Sequence, residues 1–231
     1  MHDGDTVEIV LLSADITGPA LSEIGAVLTT AETDRAHHFH FEADRRRWIV
    51  GRASLRYLLS RRLGIPPQSL QFGCGTHGKP FLPASRLHFN LSHSGNVVAI
   101  ALAASDVGID VEERHDIPDM HQVASRFFSP LELAGINAAT DPIGVFFRIW
   151  TMKEAVVKAL GGGLSLPLEH FTVWFADSKT LPTGVLAASP IIAGFSAAGL
   201  YVREGYYGAV ARRGQGWRLA VHWENVLDLV P

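Results

Sequence analysis

The sequence predicts an α+β protein in which small, mostly antiparallel sheets pack with helices. Three observations lead there. Two segments, 42–64 and 144–160, are long, strongly helical and closed by glycine. Residues 87–113 form short apolar runs broken by the turn "HSGN" and by "SD". Helices and strands occur in both halves of the chain rather than in separate blocks.

Taken in order, "VEIVLLSAD" (7–15) is expected to be a strand, and "ALSEIGAVL" and "TDRAHHFHF" helices. "EADRRRWIVGRASLRYLLSRRLG" reads as one helix ending at Gly64, with Pro66 and Pro67 beyond. Gly51 inside it costs about 1 kcal/mol relative to alanine, which points to a close approach of something at that place. "LQFGCGTHGKPFLP" predicts a short strand and a glycine-rich loop, and "LHFNLSHSGNVVAIALAASDVGIDVEE" a run of strands. A loop and helices follow to about 140, then the helix "GVFFRIWTMKEAVVKAL", stopped by Gly161, Gly162 and Gly163. "HFTVWFA", "AGLYVREGYYGAVARR" and "GWRLAVHWE" read as strands. No sequence repeat and no low-complexity segment is evident.

Composition narrows the class. The 231 residues are 47% hydrophobic and 19% charged, as in globular proteins with a substantial core. One cysteine, Cys74, excludes an intramolecular disulfide framework and fits a reducing compartment. No apolar run reaches the roughly 20 residues of a membrane span, and the N-terminus has no signal-peptide pattern, so a cytoplasmic protein without membrane contact is expected. A net charge of −3 argues against nucleic-acid binding. Seven arginines nevertheless fall between 45 and 62, a local basic patch suited to an anionic small molecule or an acidic partner.

The carboxylates of "VGIDVEE" carry the chemistry. On a strand, Asp110 and Glu112 project to one face while Ile109 and Val111 face the core. Two neighbouring carboxylates repel unless a cation lies between them, and Mg²⁺ is the natural occupant. Spacing alone favours a solvated strand end, since D-x-E is common. In "WTMKEAVVKAL", Glu154 and Lys158 lie one helical turn apart and share a face. By itself that is a surface ion pair; beside Asp110 and Glu112 it adds a third carboxylate and a cation for phosphate. Lys153 falls on the stripe of Ile149, Trp150, Val157 and Leu160, so it either snorkels or reaches into a site.

These residues resemble a known signature. "GIDVE" followed about 40 residues later by "WTMKEAVVKA" is similar to the paired motifs G-x-D-x-E and W-x-x-K-E-x-x-x-K of the Sfp-type 4′-phosphopantetheinyl transferases. Every fixed position matches: Gly108, Asp110, Glu112, Trp150, Lys153, Glu154 and Lys158. "GKPFL" (78–82), "FNLSHSG" (89–95), "RFFSPLE" (126–132) and "GGGLSLPL" (161–168) resemble further segments of that family, in order, over about residues 40 to 175. The resemblance implies two similar α/β halves in one chain, about 1–105 and 106–231, with the coenzyme in the cleft between them. It implies transfer of the phosphopantetheine arm of coenzyme A to a serine of an acyl or peptidyl carrier protein, with release of 3′,5′-ADP.

Site residues follow by the same resemblance. Asp110, Glu112 and Glu154 are expected to hold Mg²⁺, with Mn²⁺ an alternative; Lys158 is expected to pair with the pyrophosphate. Glu154 is the first candidate for the base that takes the serine proton, directly or through a metal-bound water. His93 and Ser92 are expected at coenzyme phosphate, and Lys79 and Pro80 at the adenine and 3′-phosphate end. Arg47 and Arg52 are the arginines expected at the 3′-phosphate, with Lys153 also on the coenzyme side. Glu132 is expected to support the metal or a loop. An acidic carrier is expected to dock between Glu113 and Leu133, meeting Arg126, Phe127 and Phe128. A chain that carries both halves is expected to be a monomer. Two other readings compete: a metal-dependent phosphotransferase or hydrolase on another nucleotide-like substrate, and an inert carrier-binding paralogue. The glycine triplet is no P-loop, because it ends a helix and lacks the following Lys-Ser/Thr.

Overall fold

The computed structural model describes residues 6–162, 167–174, 184–187 and 192–230. Gly163 and the "LSL" of the segment after it, together with the end of "HFTVWFA", lie outside the described residues.

The elements run β1 (Thr6–Ser13), α1 (Gly18–Gly25), α2 (Thr30–His37), α3 (Glu42–Leu63), β2 (Gly73–Cys74), β3 (Pro80–Phe81), β4 (His88–Ser94) and β5 (Val97–Ala103). Then come β6 (Val107–Glu113), α4 (Met120–Phe127), α5 (Pro130–Ala138), α6 (Pro142–Leu160), β7 (Phe171–Trp174), β8 (Gly184–Ala187), β9 (Phe195–Leu200) and β10 (Tyr206–Arg213). The last strand is β11 (Arg218–Glu224). Both long helices end on a glycine with positive φ, Gly64 at 65° and Gly161 at 69°. This left-handed cap is open to glycine at little steric cost.

The order β1-α1-α2-α3-β2-β3-β4-β5 repeats as β6-α4-α5-α6-β7-β8-β9-β10. The sheets repeat it too: β11-β1-β5-β4 in one half and β6-β10-β9 in the other. The fold is therefore α+β and pseudo-twofold, although the sequence shows no repeat. What recurs is physical chemistry rather than identity. Thr29 caps α2 in a capping box closed by Glu32, and Ser129 caps α5 in one closed by Glu132. Each glutamate then meets a buried cation from the next long helix. Arg56 donates from Nε and Nη2 to the two Glu32 oxygens (2.8 and 2.9 Å), and Lys153 Nζ lies 2.9 Å from Glu132 Oε2. Each cation also grips the ends of a short 3-10 turn: Arg56 the carbonyls of Pro67 and Leu70, Lys153 those of Leu168 and Phe171.

Alternation along the strands divides the core into layers. Val10, Leu12, Val98, Ile100 and Leu102 face α1 to α3. Val7, Ile9, Leu11, Val97, Ala99 and Ala101 meet Val107, Ile109, Val111 and Val210 of the second sheet. Ala209 and Ala211 face α6. Gly51 is explained by packing: a Cβ there would lie 3.1 Å from a Leu91 methyl. Among the described residues the sheets are antiparallel with one exception: β11 pairs in parallel with β1. The far end of the chain thus completes the N-terminal sheet, and Val226 and Leu229 join its helix-side core. Local pattern predicts that 216–224 is a strand, but not that its partner lies some 210 residues away.

Burial acts to raise the Glu32 pKa, but the hydrogen bonds from Arg56, Thr29 and Arg52 win and lower it to about 2. A carboxylate depressed in the folded state stabilises above its unfolded pKa, and that contribution is lost as pH falls through the folded value. Glu32 is expected to contribute about 3 kcal/mol at neutral pH, of which about 2 kcal/mol is gone by pH 3. Urea melts at pH 7 and pH 3 check this. Glu32→Gln is expected to be less stable than wild type at pH 7 and to lose less on acidification.

Candidate active site

The two sheets meet at their edges along β4 and β6, and the site lies on that seam. There is no backbone ladder across it. Instead Asn90, Ser92 and Ser94, alternate residues of β4 and so on one face, accept from backbone N–H groups of β6. Ile109 N donates to Asn90 Oδ1 (2.8 Å), Val111 N to Ser92 Oγ (3.4 Å) and Glu113 N to Ser94 Oγ (3.0 Å). Edge-strand donors that would otherwise be buried unpaired are satisfied by short polar side chains.

On its other side β6 lies directly against α6. A Cβ on Gly108 would stand 2.1 Å from Ala155 O and 2.3 Å from Ala159 N, both backbone atoms that cannot swing away. Glycine here permits the approach that brings Asp110 to Lys158. Gly108→Ala is expected to force the strand off the helix, with a loss of about 1–3 kcal/mol in stability and a larger fall in activity. Urea unfolding alongside a transfer assay checks both.

Asp110 is buried, with 3% exposure. Its Oδ1 accepts from Lys158 Nζ (2.6 Å) and Ser92 Oγ (2.9 Å). Lys158 Nζ also donates to Ser92 Oγ (3.0 Å). The other carboxylate oxygen, Oδ2, is buried with no hydrogen-bond partner among the described residues. Glu112 is half-buried and accepts from Ser94 Oγ at Oε2 (2.8 Å). Loss of water raises the pKa of all three carboxylates. Lys158 and Ser92 oppose this at Asp110; at Glu112 and Glu154 the Asp110 charge adds to the rise, and Lys158, with Ser94 at Glu112, opposes it.

The donor set suits a hard divalent cation. Asp110 repels both Glu112 and Glu154, one lysine stands against the three carboxylates, and a buried Asp110 oxygen lacks, among the described residues, the partner that burial normally demands. Among the described residues no ready-made cluster of three or more His, Cys, Asp or Glu holds a metal position, and the Lys158 ammonium occupies one side of Asp110.

His93 is exposed at the rim of a concavity of about 360 Å³ lined also by Arg35, Trp48, Arg52, Phe72 and Pro80. Its pKa is lowered, first by crowding away from water, then by Arg47 and, more weakly, Lys158. Arg47 donates to Gly95 O (3.0 Å) and pairs with Asp44. Arg52 stacks over Phe72 at 3.9 Å, donates from Nε to Glu32 and lines the concavity. Lys79 ties the "GKP" loop to the second half through Val107 O (2.9 Å) and Ala159 O (3.3 Å), and burial lowers its pKa to about 8.

Two family models match this chain: the 4′-phosphopantetheinyl transferase superfamily over residues 106–195 and the 4′-phosphopantetheinyl transferase N-terminal model over 17–105. The 4′-phosphopantetheinyl transferase HetI of a Nostoc species is 34% identical over 221 residues, 93% of this chain and 90% of that protein. A 4′-phosphopantetheinyl transferase of Bacillus subtilis is 34% identical over 166 residues, 69% of this chain and 73% of its own length. The chain belongs to the 4′-phosphopantetheinyl transferases. Its type is that of Sfp, the Bacillus subtilis transferase 32% identical to it over 149 residues, 63% of this chain and 66% of that protein.

Within this transferase, the residues singled out by sequence separate into two groups. Ser92, Asp110 and Lys158 touch, Glu112 and Glu154 lie within their electrostatic reach, and Arg47 and His93 adjoin them. Lys153, expected either to snorkel or to reach into the site on the coenzyme side, stands apart from this group. It is fully buried, and its three protons go to Leu168 O, Phe171 O and Glu132. Glu132 likewise supports structure: it caps α5 and accepts from Val173 N. Phe128 packs on Phe146 in the core, so of the expected docking residues only Arg126 and half-buried Phe127 face outward. Sequence reasoning passed over Asn90 and Ser94; the signal available was the alternation of polar residues in "NLSHS".

Proposed function

We propose that this transferase moves the 4′-phosphopantetheine arm of coenzyme A to a serine of an acyl or peptidyl carrier protein, with Mg²⁺ bound by Asp110, Glu112 and Glu154. The buried, unpartnered Oδ2 of Asp110 beside two repelled glutamates is the observation that supports this most. Division of labour between an N-terminal half ending near residue 105 and the remainder belongs to the same reading, as do a monomeric state and a cytoplasmic location. No helix among the described residues is long and apolar enough to cross a membrane.

When bound, the divalent cation would neutralise charge on the pyrophosphate during transfer. Lys158 has one proton left after Asp110 and Ser92 and is placed to bind a phosphate oxygen. Arg47 and Arg52 present positive charge to the 3′-phosphate, and His93, kept neutral by its lowered pKa, adds a ring N–H. Pro80 and the stacked Arg52–Phe72 pair supply a flat wall for an adenine. Glu154 is half-buried, makes no side-chain hydrogen bond among the described residues, and has a raised pKa. An oxygen of Glu154 not engaged by the cation is then available to take the proton from the carrier serine.

The test is mass spectrometry of apo carrier proteins incubated with the enzyme, coenzyme A and Mg²⁺. A gain of one phosphopantetheine arm on a serine is expected, and no gain without the divalent ion. Coenzyme turnover in the absence of any carrier would instead favour a hydrolase. Lys158→Ala is expected to raise the coenzyme KM about tenfold while leaving the carrier KM near wild type, as steady-state kinetics with each substrate varied would show.

A further inference from the structure

The seam between β4 and β6 has a second level beyond the pairing of backbone donors. A backbone N–H only donates, so Ser94 Oγ must accept from Glu113 N (3.0 Å). Its hydroxyl proton is then free to point at Glu112 Oε2, 2.8 Å away. Ser92 repeats the arrangement one rung earlier: it accepts from Val111 N and donates to Asp110 Oδ1. Each serine thus reads the peptide N–H of one residue and holds the carboxylate of the residue before it. The third rung, Asn90 on Ile109 N, faces Gly108, which has no side chain to hold.

We infer that Ser94 is a positioning residue that sets the Glu112 carboxylate for the divalent cation. The hydrogen bond takes up one lone pair of Oε2 and restrains rotation of the carboxylate, so Oε1 is presented from a defined direction. That restraint has a purpose, because Asp110 repels Glu112 and would otherwise drive it out toward water. Lys158 helps Ser92 hold Asp110 by direct contact, whereas Lys158 and His115 attract Glu112 only from a distance, and the hydrogen bond that fixes its carboxylate among the described residues comes from Ser94. The seam therefore couples the fit of the two halves to the geometry of the acidic site: a shift of β4 along β6 would displace both serine hydroxyls together.

The inference rests on the divalent-cation reading above. It is tested by titrating the enzyme with Mn²⁺ in the presence of coenzyme A and no carrier, with free Mn²⁺ counted by electron paramagnetic resonance. Coenzyme alone serves as the blank. Ser94→Ala is expected to weaken enzyme-dependent Mn²⁺ binding about tenfold, the usual scale for losing a hydrogen bond behind a ligand. Ser94→Thr, which keeps the hydroxyl, is expected to restore it. At saturating metal the coenzyme KM of Ser94→Ala should stay within about twofold of wild type. Should Ser94→Ala fail to fold, Ser94→Cys, similar in size with a poor donor, takes its place. Asn90→Ala removes the rung that holds no carboxylate. It is expected to lower the melting temperature by about 2–4 °C and leave Mn²⁺ binding unchanged. Unaltered Mn²⁺ affinity in Ser94→Ala, with wild type binding normally, overturns the role given to Ser94. A loss equal in Asn90→Ala and Ser94→Ala does the same, because it assigns the effect to the seam as a whole. Absence of Mn²⁺ binding by wild type overturns the divalent-cation reading itself, and this inference with it.

Discussion

Replacing Asp110 by alanine is expected to lower kcat/KM for transfer about a thousandfold or more while the protein stays folded. The two halves of that expectation have one cause. Asp110 is a buried carboxylate whose pKa is raised because burial outweighs Lys158 and Ser92, so its charge is held at a cost to stability. Alanine relieves that cost, and Lys158, with 29% of its side chain exposed, can turn toward water. The melting temperature should therefore fall little. Activity should fall steeply, because Asp110 joins the lysine, the serine rung and the proposed cation in one place. Mass-spectrometric transfer rates and thermal melts measure the two sides. Near wild-type transfer in this variant would remove the case for a metal at these carboxylates.

Lys153→Met is expected to do the reverse. Lys153 and Glu132 are both almost wholly buried, with side-chain exposures of 0% and 1%. Burial lowers the Lys153 pKa while the Glu132 carboxylate pushes it back up. Removing the ammonium leaves the Glu132 carboxylate without its ion-pair partner and takes one donor each from the Leu168 and Phe171 carbonyls. A loss of about 3–5 kcal/mol follows. For a chain of this length that lowers the melting temperature by about 10 °C. Protein that remains folded at low temperature should keep its coenzyme KM. A raised coenzyme KM without loss of stability would return Lys153 to the coenzyme.

The contrast between Lys153 and Lys158 shows where sequence stops. Both belong to the motif matched by the transferase family and stand five residues apart on one helix. Helical periodicity already put Lys153 on the apolar stripe, but that left two outcomes open. The carbonyls that claim Lys153 come from a turn beyond the end of the helix, and its carboxylate from the previous helix. Neither is visible to local pattern. The same limit hides the repeat. Capping boxes at Thr29–Glu32 and Ser129–Glu132 can be read as short-range signals, yet their buried partners, Arg56 and Lys153, differ in residue type. An arginine and a lysine doing equivalent work leave no identity to align.

The chain by itself determined the helices and their glycine ends, the strands that alternate, and the shared face of Asp110 and Glu112. These follow from backbone sterics and from the periods of helix and strand, which act over a few residues. Tertiary structure alone decided that β11 closes on β1, that β4 serines hold the β6 carboxylates, and that Gly108 lets strand and helix backbones touch. Each of these depends on which distant surfaces bury each other. That choice minimises exposed apolar area and unpaired polar groups over the whole molecule, and no short stretch of sequence encodes it.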